Sequence, residues 1–143
     1  MHRFLEMQVA DYMTSPVISV APATQLSELE RRFTEYDYNG FPVIDNGRLV
    51  GVVTKFDVLK AFVFTPRSVV PQYDVLARLT AAQVMTRDVI TFTPDTPLTR
   101  VLQTLVDFRV KSFPVVDRGQ VVGIIAREDL VRALHDSTRS APG

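Results

Sequence analysis

The chain of 143 residues contains one pattern twice. Residues 13–62 align with residues 85–134 at a constant offset of 72, without a gap. Identical pairs run through the whole alignment: Met13/Met85, Thr14/Thr86, Val17/Val89, Ile18/Ile90, Pro22/Pro94, Thr24/Thr96, Leu26/Leu98, Phe41/Phe113, Pro42/Pro114, Val43/Val115, Asp45/Asp117, Gly47/Gly119, Val50/Val122, Gly51/Gly123 and Asp57/Asp129. A period this long with two copies is not a solenoid unit. The chain is therefore a tandem duplication.

Each repeat predicts the element order β-α-β-β-α. Short apolar runs at 17–20 and 89–92 indicate a first strand, and Thr24 and Thr96 stand where a helix N-cap is expected. A helix and then a hairpin around a glycine turn follow, with Asn46-Gly47 as a strong hairpin signal. The helix of the second repeat is predicted to bury one apolar face: Leu98, Val101, Leu102, Leu105 and Phe108. A short helix closes each repeat.

The two repeats are expected to form one folded unit. A repeat of roughly 50–60 residues is marginal alone, and its nearly continuous apolar strands are typical of sheets covered on both faces. The sequence predicts a mixed α/β (α+β) fold in which the repeats pack sheet to sheet about a pseudo-twofold axis. The predicted boundaries are 7–62 for repeat 1, 63–80 for a connector, 81–135 for repeat 2 and 136–143 for a flexible tail.

Composition excludes several classes of protein. Sixteen basic residues balance sixteen acidic ones, so no net field steers the chain to nucleic acid or to an anionic membrane. The chain has no cysteine, and no apolar run approaches the roughly 20 residues that span a bilayer. We expect a cytoplasmic chain with neither a nucleic acid nor a membrane as partner.

An enzyme is not expected either. His2 and His135 have no metal-ligand spacing, and the chain lacks a nucleophile elbow, a phosphate-binding loop and a dinucleotide fingerprint. The acidic pairs Glu28/Glu30 and Glu128/Asp129 fall on predicted helix surfaces or starts. We expect no catalytic residue, no metal site and no required cofactor.

The order of short motifs in each repeat resembles a known family. It runs Met-Thr, a Val-Ile strand, Pro-x-Thr, x-Pro-Val-h-Asp, a glycine turn and Gly-h-h-[Thr/Ser]-x-x-Asp, where h is apolar. This set resembles the CBS domain, named for cystathionine β-synthase, and the tandem over about residues 7–135 resembles a stand-alone CBS pair, or Bateman module.

The resemblance implies a regulatory module. Such a module binds an adenosine-containing ligand (AMP, ADP, ATP or S-adenosylmethionine) in the cleft between repeats and signals by conformational change to a partner or subunit, usually as a homodimer. The alternative is a non-catalytic dimerisation or interaction scaffold with vestigial ligand sites.

The stretch 54–57 is the first candidate for ligand contact. By the resemblance, the Asp57 carboxylate accepts hydrogen bonds from the ribose hydroxyls, Thr54 offers a hydroxyl, and Lys55 reaches phosphate. A carboxylate can accept both O–H groups of a cis-diol. Thr-x-x-Asp before a helix is also a capping box, which needs no ligand. Both interpretations stay open at this point.

The resemblance also implies that each aspartate takes partners from the opposite repeat. The Asp57 site gains an apolar slot and a cation: Val89, Ile90, Val110, Lys111, Ser112 and Pro114. The second, weaker site combines Asp129 and Arg127 with Val17, Ile18, Tyr38, Asn39, Gly40 and Pro42. Charge favours a phosphorylated ligand at Asp57, and Tyr38 is predicted to stack on the base of a less anionic one. The alternatives are a solvated Lys111 and a Tyr38 packed at the core edge.

Overall fold

The computed structural model describes residues 2–63 and 73–139. The chain forms two compact units. The continuous unit is Ile18–Val89, and the split unit combines Met1–Val17 with Ile90–Gly143. Residues 64–72 of the predicted connector and 140–143 of the predicted tail lie outside the described residues.

Each unit combines helices with two strands. In chain order the elements are α1 (His2–Glu6), α2 (Val9–Tyr12), α3 (Leu26–Glu35), β1 (Gly40–Asp45), β2 (Arg48–Thr54), α4 (Lys55–Ala61), α5 (Tyr73–Ala77), α6 (Ala81–Val84), α7 (Leu98–Phe108), β3 (Ser112–Asp117), β4 (Gln120–Ala126) and α8 (Arg127–Arg139). The strands pair as two antiparallel hairpins, β1 with β2 and β3 with β4. The predicted mixed α/β class is confirmed, and the packing of one sheet against the other stays a prediction.

The two hairpins turn in the same way. Asn46 and Gly47 have φ of 52° and 80°, and Arg118 and Gly119 have φ of 53° and 81°. Two consecutive positive φ values are the geometry that matches the twist of antiparallel strands, and glycine adopts them without steric cost. The predicted turns are therefore confirmed.

The predicted first strand of each repeat is reduced to one bridge. Val20 pairs in parallel with Val43, and Phe92 pairs with Val115 in the same way. The next hydrogen bonds on either side of this bridge would need the N–H groups of Pro22 and Pro42, which proline lacks. Pro94 and Pro114 have the same effect in the second repeat. The prediction of strands over 17–20 and 89–92 was wrong for that reason.

Thr24 and Thr96 lie just before the N-caps of α3 and α7 rather than at them. Their hydroxyl oxygens accept hydrogen bonds from the backbone N–H groups three residues earlier, at 3.0 and 3.1 Å. Each threonine therefore closes the turn that leads into its helix, and the caps are Gln25 and Pro97.

The end of α7 differs from the prediction. Leu98 and Val101 are buried as expected, but Phe108 is 63% exposed. Arg109 adopts a left-handed conformation with φ of 56° and ends the helix directly after Phe108. The apolar face of α7 therefore stops short of the last residue predicted for it.

The predicted tail begins too early. Helix α8 continues through Arg139, and Ser137 within it is buried. The Tyr12 hydroxyl donates a hydrogen bond of 2.6 Å to the Asp136 carboxylate, and this bond raises the pKa of Tyr12. Residues 136–139 are therefore helical, because α2 and the rest of the split unit hold that turn in place.

Each unit has its own apolar core. In the continuous unit the buried cluster is Val20, Leu26, Leu29, Phe41, Val43, Val53, Val58 and Ala81. In the split unit it is Phe4, Met7, Val9, Phe92, Leu98, Val101, Phe113, Val115, Ile125, Leu130 and Ala133. The first helix of each repeat, α2 with Val9 and α6 with Ala81, thus contributes to the core that contains the hairpin of the other repeat. The compact units do not follow the boundary between the sequence repeats.

Candidate functional site

The Met-Thr pair of each repeat lies along a hairpin strand. In the continuous unit, Thr86 and Val52 exchange two backbone hydrogen bonds of 2.9 Å. A Cβ atom at Gly51 would lie 2.7 Å from the Met85 sulfur and 2.8 Å from the Thr86 carbonyl oxygen. Glycine is therefore required at position 51, because only a residue without a side chain lets this segment approach the strand.

The start of α4 contains the contacts of a capping box. The Thr54 N–H and hydroxyl groups donate to Asp57 Oδ2 at 2.9 and 3.0 Å, and the Asp57 N–H donates to the Thr54 hydroxyl at 3.1 Å. Asp57 is only 3% exposed. These contacts form the capping box that was one of the two interpretations of Thr-x-x-Asp. A ligand at Asp57 must therefore bind while the capping box is present.

The other oxygen of the Asp57 carboxylate meets two side chains that the sequence analysis missed. The Thr86 hydroxyl lies 3.2 Å from Oδ1 and 3.4 Å from Oδ2, and the Lys60 ammonium lies 3.6 Å from Oδ1. Lys60 could have been found from its i+3 spacing on α4. Thr86 is 29 residues from Asp57 in the chain, and the Met-Thr motif was the only feature of the sequence that pointed to it.

The equivalent carboxylate in the split unit has different partners. Asp129 is 5% exposed; its Oδ2 accepts from the Ala126 N–H at 2.8 Å, and its Oδ1 accepts from Arg132 Nη2 at 3.1 Å. Burial raises the pKa of Asp129, while the Ala126 N–H and the Arg132 guanidinium act in the opposite direction. Arg132 also donates to the Tyr12 carbonyl at 3.2 Å. Arg132 is the equivalent of Lys60, but its guanidinium donates a hydrogen bond to the carboxylate, whereas the Lys60 ammonium is 3.6 Å away.

The residues before Phe-Pro-Val lie beside the helix start of their own hairpin. Gly40 pairs with Thr54 at the open end of the hairpin, and the Lys55 N–H donates to the Asn39 carbonyl at 3.3 Å. The split unit repeats both contacts: Ser112 with Ala126, and the Arg127 N–H with the Lys111 carbonyl at 3.0 Å. The sequence analysis assigned these neighbours to opposite sites, and that assignment stays a prediction.

Tyr38 packs against other aromatic rings. It stacks on Tyr36 with centroids 5.8 Å apart and meets Phe41 edge-on at 5.9 Å. These contacts place Tyr38 at the edge of the core of the continuous unit. Stacking of Tyr38 on an adenine base stays a prediction.

The remaining predicted site residues differ in exposure. Pro42 and Pro114 are buried, Val17, Ile18, Val89, Ile90 and Ser112 are half-buried, and Lys55, Val110, Lys111 and Arg127 are exposed. Val17, Ile90, Val110, Lys111, Ser112, Pro114, Arg127 and Asp129 belong to the split unit, and the others belong to the continuous unit. Lys55 and Lys111 are therefore accessible to an anion, whereas the Arg127 guanidinium lies 3.6 Å from the Glu128 carboxylate.

Within residues 2–63 and 73–139, no group of three or more His, Cys, Asp or Glu side chains is placed to hold a metal ion. Over the same residues, no helix has the length and apolar character needed to cross a membrane.

Comparison with known proteins assigns the family. The family model described as CBS domain matches residues 9–64 and 81–136, which together are more than half of the chain. The chain belongs to the CBS domain family. The two matches correspond to the two repeats, so the chain is a tandem CBS pair.

Similar CBS-containing chains are found among curated proteins and solved structures. The A-adding tRNA nucleotidyltransferase of Geobacter sulfurreducens is 31% identical over 91% of this chain, but the chain spans only 14% of that protein. The CBS domain pair of protein MJ0100, in complex with 5′-methylthioadenosine and S-adenosyl-L-methionine, matches with a TM-score of 0.75 at 27% identity, covering 92% of this chain and 98% of that one. CBSX2 in complex with AMP matches with a TM-score of 0.76 at 27% identity and the same coverage.

Proposed function

We propose that this CBS pair is a non-catalytic regulatory module that binds an adenosine-containing ligand, with the Asp57 carboxylate as the acceptor for the ribose hydroxyls. The observation that carries the proposal is the arrangement around Asp57: one carboxylate oxygen caps α4, and among the described residues the other contacts the Thr86 hydroxyl and the Lys60 ammonium. Two similar CBS structures, at 27% identity, hold AMP or S-adenosyl-L-methionine with 5′-methylthioadenosine, and this supports the ligand class.

Capping and ligand binding can coexist at Asp57. A carboxylate has about four lone-pair positions, and the capping box uses those of Oδ2. On Oδ1 the Lys60 ammonium, at 3.6 Å, is beyond hydrogen-bond distance, and its side chain is 57% exposed. Thr86 is exposed as well. Ribose hydroxyls can therefore displace the Lys60 ammonium and bind Oδ1 beside the Thr86 hydroxyl without disturbing the cap.

The two carboxylates should differ as ligand acceptors. Asp129 Oδ1 already accepts a charge-assisted hydrogen bond from Arg132, and Ala126 supplies no hydroxyl where the continuous unit has Thr54. A ligand at Asp129 must displace a guanidinium that donates a hydrogen bond, whereas a ligand at Asp57 displaces only an ammonium beyond hydrogen-bond distance. We therefore propose that the Asp57 site is the stronger one. The size of the conformational change that a ligand can drive is limited by the difference in its affinity for the two conformations of the module.

A titration tests the proposed function. AMP, ADP, ATP and S-adenosylmethionine are added separately to the chain in a calorimeter, and we expect at least one to bind with a dissociation constant below about 1 mM. A ligand present at 100 times its dissociation constant should also stabilise the folded chain by about 2.7 kcal/mol in a melting experiment. If none of the four produces heat or raises the melting temperature, the proposal is wrong.

The scaffold alternative is favoured by an exposed apolar face on the continuous unit. Phe56, Leu59 and Val63 project from α4 and the turn after it at i, i+3 and i+7 spacing, each more than half exposed. Tyr73 and Val75 of α5 are also more than half exposed, and Tyr73 stacks on Phe62 at the end of α4 with centroids 5.8 Å apart. We call these five exposed side chains the α4–α5 face.

The size of the α4–α5 face fits a second copy of this chain. Five such side chains expose on the order of 500 Å² of apolar surface, which is at the upper end for a monomer. An isologous contact uses the same patch on both copies, so a pair would bury on the order of 1,000 Å², the lower limit for a stable interface. We propose that a homodimer forms through this face, whether or not a ligand is bound.

Leu59→Glu should convert the chain to a monomer. A charge in the middle of the α4–α5 face would have to be buried without a partner in the dimer, whereas in the monomer it stays in water. Light scattering after size exclusion should give a dimer mass for the parent chain at micromolar concentration and a monomer mass for the variant. The matched control is Val131→Glu at the equivalent and equally exposed position of α8, which should remain dimeric. A monomeric parent, or a dimeric Leu59→Glu variant, would contradict the proposed interface.

A further inference from the structure

We propose that Thr86 is the positioning residue for Asp57, holding the carboxylate oxygen that the ligand's ribose uses. The inference rests on the proposed function and assigns a role to a residue outside the Thr-x-x-Asp motif. Thr86 acts through Asp57 and is not itself required to touch the ligand.

The backbone of Thr86 is fixed before its side chain is considered. Its N–H and C=O groups both bond to Val52 in the middle of β2, at 2.9 Å each. The absence of a side chain at Gly51 lets the Met85-Thr86 segment lie directly on the strand. Thr86 is thus held at one register relative to the hairpin that ends at Thr54.

From that register the Thr86 hydroxyl reaches the carboxylate at the start of α4. It lies closer to Oδ1, at 3.2 Å, than to Oδ2, at 3.4 Å. Oδ2 is already held by the two donors of Thr54, so rotation of the carboxylate is restricted from both sides. The ribose would find Oδ1 already oriented.

The split unit shows that this contact is not a necessary result of the fold. Thr14 exchanges backbone hydrogen bonds with Ile124 of β4 at 2.8 and 3.0 Å, as Thr86 does with Val52. Among the described residues of that unit, the donors to Asp129 are nevertheless the Ala126 N–H and Arg132. The same backbone arrangement therefore carries a hydroxyl–carboxylate contact in one unit and a guanidinium contact in the other.

The test compares Thr86→Val with Thr86→Ser and with the matched control Thr14→Val. Calorimetric titrations of the full chain use AMP and 2′,3′-dideoxy-AMP, which lacks the ribose diol. Thr86→Val removes a hydrogen bond to a charged group, and we expect it to weaken AMP binding about tenfold. The dideoxy analogue should bind parent and variant within about twofold, because it does not use the oriented oxygen. Thr86→Ser and Thr14→Val should bind AMP within about twofold of the parent.

Each outcome separates this inference from the proposed function. AMP binding that is unchanged in Thr86→Val would overturn the positioning role alone. An equal loss for AMP and for the dideoxy analogue would also overturn it, because the hydroxyl would then support the fold rather than the diol contact. A parent chain that binds none of AMP, ADP, ATP and S-adenosylmethionine would overturn the Asp57 site itself.

Discussion

Gly51→Ala will lower the free energy of unfolding by about 2–3 kcal/mol, because overpacking a filled site costs that much when the surroundings cannot yield. The added Cβ would lie 2.7 Å from the Met85 sulfur and 2.8 Å from the Thr86 carbonyl oxygen. The sulfur belongs to a flexible side chain, but the oxygen belongs to backbone that is bonded to Val52 in both directions. Relief therefore requires either a bent β2 or the loss of those two hydrogen bonds. Unfolding in urea measures the change.

Gly47→Ala is the control for this substitution. Gly47 has φ of +80° and no atom within 4 Å of a built Cβ, so alanine there adds backbone strain without a contact. Strain of this kind costs roughly 1–2 kcal/mol. We expect both variants to have a lower free energy of unfolding than the parent chain, with the larger decrease in Gly51→Ala. In Gly51→Ala the Thr86 amide should also be less protected from hydrogen exchange than in Gly47→Ala. Equal protection of that amide in the two variants would show that the close approach at Gly51 is not what fixes this segment.

Local features of the sequence were sufficient for the hairpins but not for the compact units. The Asn46-Gly47 turn and the apolar runs around it specify a hairpin by short-range geometry alone. The missing first strand was also visible in principle, because Pro22 and Pro42 remove the N–H groups of the neighbouring rungs. The exchange of N-terminal segments between units depends on contacts such as Thr86 with Val52, which join residues far apart in the chain. A repeat alignment carries no information about such an exchange.

The same distinction applies to the candidate site. The capping box of Thr54 and Asp57 follows from spacing along one helix start, so the sequence predicted its geometry as one of two interpretations. The partners of Asp57 Oδ1 and Asp129 Oδ1 are set by side chains outside the Thr-x-x-Asp stretch: Thr86, Lys60 and Arg132. The predicted difference between the two carboxylates therefore has a physical basis in their donors, beyond the change from Thr54 to Ala126.

Asp57→Asn should weaken AMP binding by about 30-fold or more while leaving the chain folded. The amide keeps the size of the carboxylate and one oxygen for the Thr54 N–H, so the cap should lose only about 1 kcal/mol. Its NH₂ group, however, replaces Oδ1 with a donor that faces the Thr86 hydroxyl and the Lys60 ammonium and offers nothing to a ribose hydroxyl. Loss of hydrogen bonds to a charged acceptor is worth about 2 kcal/mol, which is close to 30-fold in affinity.

Asp129→Asn separates an effect at the ligand site from an effect of charge. It removes the same charge from the equivalent position of the split unit, where Arg132 rather than a hydroxyl contacts the carboxylate. We expect Asp129→Asn to bind AMP at the stronger site as tightly as the parent chain in calorimetry. Unfolding in urea accompanies each titration, so that a loss of affinity is compared only between folded variants. If Asp57→Asn is folded and binds AMP as the parent does, the carboxylate at position 57 is a helix cap alone, and the scaffold function becomes the better proposal.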